Sequence, residues 1–329
     1  MNKLLYIFFI IFISFTTIVK AQDIHFTQFY ASSIYLNPAF TGAGVCSRVS
    51  TSYRTQWTGV SEAYSSYLAS YDHYIKRHNL GVGFMIGRDV SGSGDLARTL
   101  IYPMLAYEAR ITRELGIRFG LQSGVGISSI NFNKLVFGDQ IARGGNVPTL
   151  EDATQSVYYL DLGAGVLAYS SKYWLGFSAH HLNKPNESLI EPNESILPIK
   201  YSVHGGYKFL LQDDDDKSIS AAFNYRGQQK FDQLDIGAYY TQKALNIGLW
   251  YRGIPLLKSY QSGYSNHDAI AIIFGVKTDL MSIGYSYDFT ISRLSNSDSH
   301  GSHEISLSYQ FCSLKNQKGR RILVECPSF

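Results

Sequence analysis

Residues 303–311 of this 329-residue chain alternate without a break. His303, Ile305, Leu307, Tyr309 and Phe311 fall on one side, with Glu304, Ser306, Ser308 and Gln310 on the other. Successive side chains of a β-strand point to opposite faces, so the stretch reads as a strand with one apolar and one polar face. A soluble sandwich turns such a row into its core, whereas a membrane barrel turns it to lipid and sets aromatics at the interface. The rest of the chain decides between these two homes.

The same period of two recurs in about fourteen segments: 46–57, 64–74, 80–87, 97–111, 115–128, 157–169, 173–182, 200–209, 217–226, 233–241, 244–252, 269–277, 281–290 and 303–311. The third is the clearest, with Leu80, Val82, Phe84 and Ile86 alternating with Gly81, Gly83, Met85 and Gly87. Pro103, inside the fourth, lacks the N–H a ladder bond needs, so a bulge or weak spot is expected there. The connections sort by parity. Those after even-numbered strands are short, as at 75–79, 112–114 and 170–172, and those after odd-numbered strands are mostly long, as at 129–156, 183–199 and 253–268. Short turns on one end and long loops on the other describe an up-and-down membrane barrel. A Greek-key sandwich has no reason to sort its loops this way.

The address agrees. Lys3, an apolar run from Leu4 to Val19 and the Val19-Lys20-Ala21 triplet have the order of a secretory leader, with cleavage expected after Ala21. Aromatics make up 14% of the chain, 25 of them Tyr, and charged residues only 17%, which suits a surface shared between lipid and water. A net charge of +3 gives no case for a nucleic-acid partner. The expected fold is therefore all-β: a transmembrane up-and-down antiparallel β-barrel of about fourteen strands. Residues 1–21 form the leader, 22–45 a plug or periplasmic segment, 46–311 the barrel and 312–329 a periplasmic tail. In the usual outer-membrane orientation both termini and the short turns face the periplasm.

On this parity Arg48, Arg54, Glu108, Arg118, Asp161, Lys208, Arg226, Asp235, Arg252, Asp288 and Glu304 point inward. About fourteen strands enclose more room than their own side chains fill, so the lumen must hold water, a plug or a partner. Residues 22–45 are long enough to be that plug or to lie across the periplasmic mouth, and within them Asn37, Pro38, Ala39, Phe40, Thr41 and Gly42 read as a turn, since Pro38 biases Asn37 to extended backbone.

Chemistry-bearing motifs are sparse. Cys46 starts the first strand and Cys312 follows the last, so a disulfide from Cys46 to Cys312 or Cys326 is open in an oxidising compartment, as are three unpaired thiols. His300, His303 and Glu304 lack a second cluster to complete a metal shell, and His180 and His181 are expected on opposite strand faces. Gly81-Val82-Gly83 lies in a strand with no helix after it, unlike a dinucleotide loop. The acid run 213–216 reads as a solvated turn. No Gly-x-Ser-x-Gly elbow is present. No catalytic residue, metal ligand or cofactor is assigned, and no residue is assigned to partner binding.

Gln22-Asp23-Ile24-His25-Phe26-Thr27-Gln28-Phe29-Tyr30-Ala31-Ser32, followed by Leu36 to Gly42, resembles the start of the mature PorP/SprF proteins of Bacteroidota. Further matches are Tyr53-Arg54-Thr55-Gln56-Trp57, Gly301 to Tyr309, and the closing Cys326-Pro327-Ser328-Phe329. Ser33 stands where that family favours Pro. The resemblance implies a non-enzymatic outer-membrane component of type IX secretion. Its partners would be a secreted surface protein, of the gliding-adhesin kind, bound through a C-terminal sorting domain, and other type IX components. The polar interior by itself supports a second reading, a passive or ligand-selective porin. A barrel hydrolase, whose residues have no recognisable spacing, is the third.

Overall fold

A computed structural model describes residues 23–311 except 45, 61–62, 93, 113, 146, 151–154, 190–194, 212–213, 255–265 and 293–295. The segment expected to be a leader, 1–21, and the one expected to be a tail, 312–329, with Cys312 and Cys326, lie outside the described residues. Fourteen strands close into one antiparallel barrel in which each pairs with its sequence neighbours and β1 pairs with β14. They are β1 (Arg48–Gln56), β2 (Tyr64–Ile75), β3 (Leu80–Ser91), β4 (Leu96–Arg110), β5 (Gly116–Ser129), β6 (Ser156–Tyr169) and β7 (Tyr173–His180). Then come β8 (Lys200–Leu211), β9 (Asp214–Gln228), β10 (Phe231–Gln242), β11 (Leu245–Gly253), β12 (His267–Lys277), β13 (Met281–Thr290) and β14 (Ser302–Gln310).

Closure leaves no sheet edge, which is what allows strands to cross a bilayer with their backbone groups satisfied. No helix among the described residues is long and apolar enough to span a membrane. The alternation sorts the faces. In β14, Ser302, Glu304, Ser306 and Ser308 are buried towards the lumen, while Ile305, Leu307 and Tyr309 stand exposed outside. Register with β1 sets Arg54 opposite Glu304, an inward pair of opposite charge at the closing seam.

Pro103 makes no bulge. It lies opposite Phe84 of β3, and on the β5 side the pairs Ile101–Val125 and Met104–Gln122 keep one register across it. The ladder to β5 merely skips two residues, which is how a strand accommodates a missing donor. The parity of the connections has two exceptions: at the long-connection end β3 and β4 are joined by residues 92–95 alone, and β9 and β10 by only Gln229 and Lys230, with Gln229 at φ +55°. The acid run is also redistributed, because β9 begins at Asp214.

Because Leu307 faces outward in the middle of β14, Leu307→Arg should cost about 2–4 kcal/mol, the depth-dependent penalty of a cation on the lipid face. Urea unfolding from liposomes measures it. An unchanged midpoint would mean that this face does not meet lipid.

Candidate functional site

The lumen is filled by the chain's own N-terminal segment. Residues 26–34 and 36–43 are buried inside the wall, in a path containing the short helix α1 (Ser33–Leu36) and a single 3-10 turn at Pro38–Phe40. Phe26, Phe29, Tyr30, Ile34 and Phe40 are each 5% exposed or less. Burial of one such side chain contributes about 1.5–3 kcal/mol, so this is a packed plug and not a loosely inserted tail. Tyr30 packs edge-on against Trp174 (centroids 5.6 Å), and Phe29 against Trp250 (4.9 Å).

Polar contacts fix its height. The Glu304 carboxylate accepts from the backbone N–H groups of Thr27 (2.6 Å) and Gln28 (2.9 Å). Ser306 donates to the Gln28 side-chain carbonyl at 2.7 Å. Further down, Asn37 caps the 3-10 turn by accepting from Ala39 N–H (2.9 Å), and its amide donates to the wall carbonyls of Val166 (3.1 Å) and Phe177 (3.2 Å). Arg118 donates to the carbonyls of Ala39 (2.8 Å) and Thr41 and pairs with Glu108 at 2.7 Å. Asp72 accepts from Gly42 N–H at 3.0 Å. Wall glycines make room for this path. A Cβ on Gly120 would overlap the backbone of Ala39, and one on Gly81 would overlap the carbonyl of Thr41.

The segment is threaded lengthwise. Asp23 lies at the long-connection end, paired with Lys200 (2.7 Å), His181 (2.8 Å) and Arg98 (3.3 Å). Gly42 lies at the short-turn end, beside Asp72 near the end of β2. Both ends of the strand wall, Arg48 and Gln310, lie at the short-turn end, but the first described residue does not. The plug thus runs the full depth of the lumen, from Asp23 at the long-connection end to Gly42 at the short-turn end.

Six inward charges form one chain of ion pairs around the wall. Arg226 pairs with Asp235 (2.7 Å), Asp235 with Arg252 (3.0 Å), Arg252 with Asp288 (3.0 Å), Asp288 with Arg54 (2.7 Å) and Arg54 with Glu304 (3.2 Å). The Thr27 hydroxyl sits at its centre, donating to Asp288 and accepting from Arg54 and Arg252. Removing one member of a buried pair costs about 3–5 kcal/mol, since the remaining charge is left uncompensated. The ladder and the plug therefore hold each other.

His180 and His181 do not point to opposite faces. β7 ends at His180, and His181 takes a left-handed φ of +58°, which turns both rings inward. His181 bridges Asp161 and Asp23, each at 2.8 Å. Burial opposes charge on its ring, but Asp23 and then Asp161 overcome it and raise its pKa to about 9. Burial likewise pushes the Asp23 carboxyl up, yet His181, Lys200 and Arg98 together hold it well below the usual carboxylate range. Burial, followed by the charge of Arg226, keeps the His25 ring well below the ordinary imidazole range and so neutral. His303 and Glu304 diverge: His303 meets the Tyr285 hydroxyl at 2.8 Å outside, and Glu304 faces the plug. Cys46 is disulfide-bonded, and its two candidate partners lie outside the described residues.

Between the plug and the long-connection ends of the strands lies a cavity of about 540 Å³. Phe26, Phe29 and Tyr35 give it an aromatic floor, and Arg226, Asn224 and Asn266 stand on its walls. Its residues come from five distant stretches of chain, so no local sequence signal marks it.

A closed, lipid-faced wall around a buried N-terminal plug defines a plugged outer-membrane β-barrel. A solved barrel shares the fold: the toluene transporter TbuX of Ralstonia pickettii matches at 12% identity over 86% of this chain and 94% of its own, with a TM-score of 0.50. The Pseudomonas putida toluene transporter TodX matches at 12% identity, covering 88% and 95%, with a TM-score of 0.47. A Pseudomonas aeruginosa FadL homologue matches at 11%, covering 86% and 94%, at 0.45. Among curated proteins, nothing matches the chain. The model of the family described as type IX secretion system membrane protein PorP/SprF matches residues 18–309, and the chain belongs to that family. It is an outer-membrane component of type IX secretion.

Two outcomes test this architecture. Gly120→Val should displace Ala39 and expose the plug to chymotrypsin after Phe26, Phe29 and Tyr30 in an otherwise folded barrel; continued resistance would mean the plug is not held against β5. The His181 pKa, raised above an unfolded value of about 6.5, makes its contribution complete below that pH and lost as pH rises through about 9. Hydrogen exchange at residues 23–29 should therefore accelerate, beyond its intrinsic rise, between about pH 7 and pH 9.5. His181→Gln should flatten the profile, and identical profiles for both proteins would remove His181 as the anchor.

Proposed function

We propose that this chain is a non-enzymatic type IX component that binds a secreted surface protein and helps export it or holds it at the cell surface. The secreted protein engages through its C-terminal sorting domain, and other type IX components are the further partners. The observation that carries the reading is the plug. Its lumen is occupied from Asp23 to Gly42 by side chains and hydrogen bonds of the chain itself. Such a barrel is suited to presenting surfaces rather than to passive flow, which weighs against a porin. The long-connection end faces outside in this orientation, and the short-turn end faces the periplasm. The disulfide at Cys46 joins the base of the plug to the C-terminal tail, through Cys312 or Cys326.

Mild detergent extraction of the tagged protein from its native outer membrane, followed by mass spectrometry, tests this. A secreted protein bearing a C-terminal sorting domain should co-purify, and deletion of the gene should strip that protein from the cell surface. A barrel recovered alone, with an unchanged surface proteome, would defeat the proposal. Steady conductance of the intact protein in a planar bilayer would then favour the porin.

A further inference from the structure

The ladder of alternating charges has two unlike ends. At one end Glu304 is saturated, taking Arg54 and two plug amides. At the other end Arg226 has, among the described residues, a single carboxylate neighbour, Asp235, which it shares with Arg252. It also donates to the neutral His25 ring. The Nε–H of Arg226 is buried and has no hydrogen-bond partner among the described residues, and the Asn266 side-chain amide is in the same position. Both residues line the 540 Å³ cavity. Buried donors left unmade are costly, and a guanidinium edge is shaped for a carboxylate.

The other carboxylates and the lysine around the cavity have partners of their own. Asp23 is already held by Lys200, His181 and Arg98. Asp232 accepts from the Tyr225 hydroxyl at 3.3 Å, and Asp268 accepts from Gln233 at 3.2 Å. Lys200 is committed to Asp23. The floor is apolar, formed by Phe26, Phe29 and Tyr35. The size falls within the range of about 300–1,000 Å³ that encloses a compact ligand.

We infer that this cavity is a binding site for a carboxylate carried on an aromatic or aliphatic group, with Arg226 and Asn266 taking the carboxylate and the plug aromatics taking the apolar body. The site lies at the end of the lumen where the long connections gather, so it is approached from that side. Two sources supply this chemistry: the free chain end of a secreted polypeptide, or a small apolar acid. Only the first source rests on the secretion reading.

Titration calorimetry of the purified full-length barrel in detergent tests the assignment. The probes are acetyl-glycyl-glycyl-phenylalanine, its C-terminal amide and 3-phenylpropionate. The free-acid peptide, the small acid or both should bind, and the peptide amide should bind at least about tenfold more weakly than its acid, the loss expected when one charge-assisted hydrogen bond is removed. Arg226→Gln and Asn266→Leu should each weaken acid binding. Arg226→Lys should restore it only in part, since lysine keeps the charge and loses the planar fork. Binding of the peptide acid supports a polypeptide source, and binding of phenylpropionate alone supports a small acid. No binding by either acid, equal affinity for acid and amide, or acid affinity unchanged in a folded Arg226→Gln or Asn266→Leu barrel would overturn the site. Undiminished co-purification of a secreted partner with Arg226→Gln would leave the secretion reading standing while removing the polypeptide source. Absence of any partner from wild type would defeat the secretion reading without touching the calorimetry.

Discussion

The structure depends on one mutual arrangement: a wall too wide to fill itself, and a segment that fills it only because the wall presents charges to its backbone. Fourteen strands leave a lumen that their own side chains do not pack. Into it point three arginines and three carboxylates in alternation, from Arg226 round to Glu304. Without a low-dielectric filling these charges would simply be hydrated; with the plug present they are dry, and each becomes structural. The plug gains its fixed height from the same groups, through the amides of Thr27 and Gln28 on Glu304 and the hydroxyl of Thr27 between Asp288 and two guanidiniums.

The small residues of the wall follow from this arrangement. A strand glycine normally weakens a sheet, yet Gly81 and Gly120 stand where the plug backbone passes closest. The inward glycines Gly81, Gly83 and Gly120 of β3 and β5 are thus explained by the plug that passes over them. The dinucleotide-like triplet around Val82 is an accident of the same spacing.

The wall was legible in the sequence because a strand's faces are a local property. Fourteen residues of alternation at β5 or nine at β14 suffice to say what points where, and the inward charges, from Arg54 to Glu304, follow from parity alone. What parity cannot give is partnership. That Arg252 bridges Asp235 and Asp288, or that Arg118 holds two plug carbonyls, depends on register and on a segment many residues away. The cavity was hidden for the same reason. The His180–His181 pair was misread because a single left-handed φ ends the alternation, and nothing in a histidine announces it.

The direction of threading gives the barrel a mechanical polarity. The plug is covalently continuous with β1 at the short-turn end, while Asp23, at the other, is held by ion pairs and a histidine. Loss of the ion pairs at Asp23 would therefore free the plug at one end only, because its covalent continuity with β1 still holds the other end to the wall.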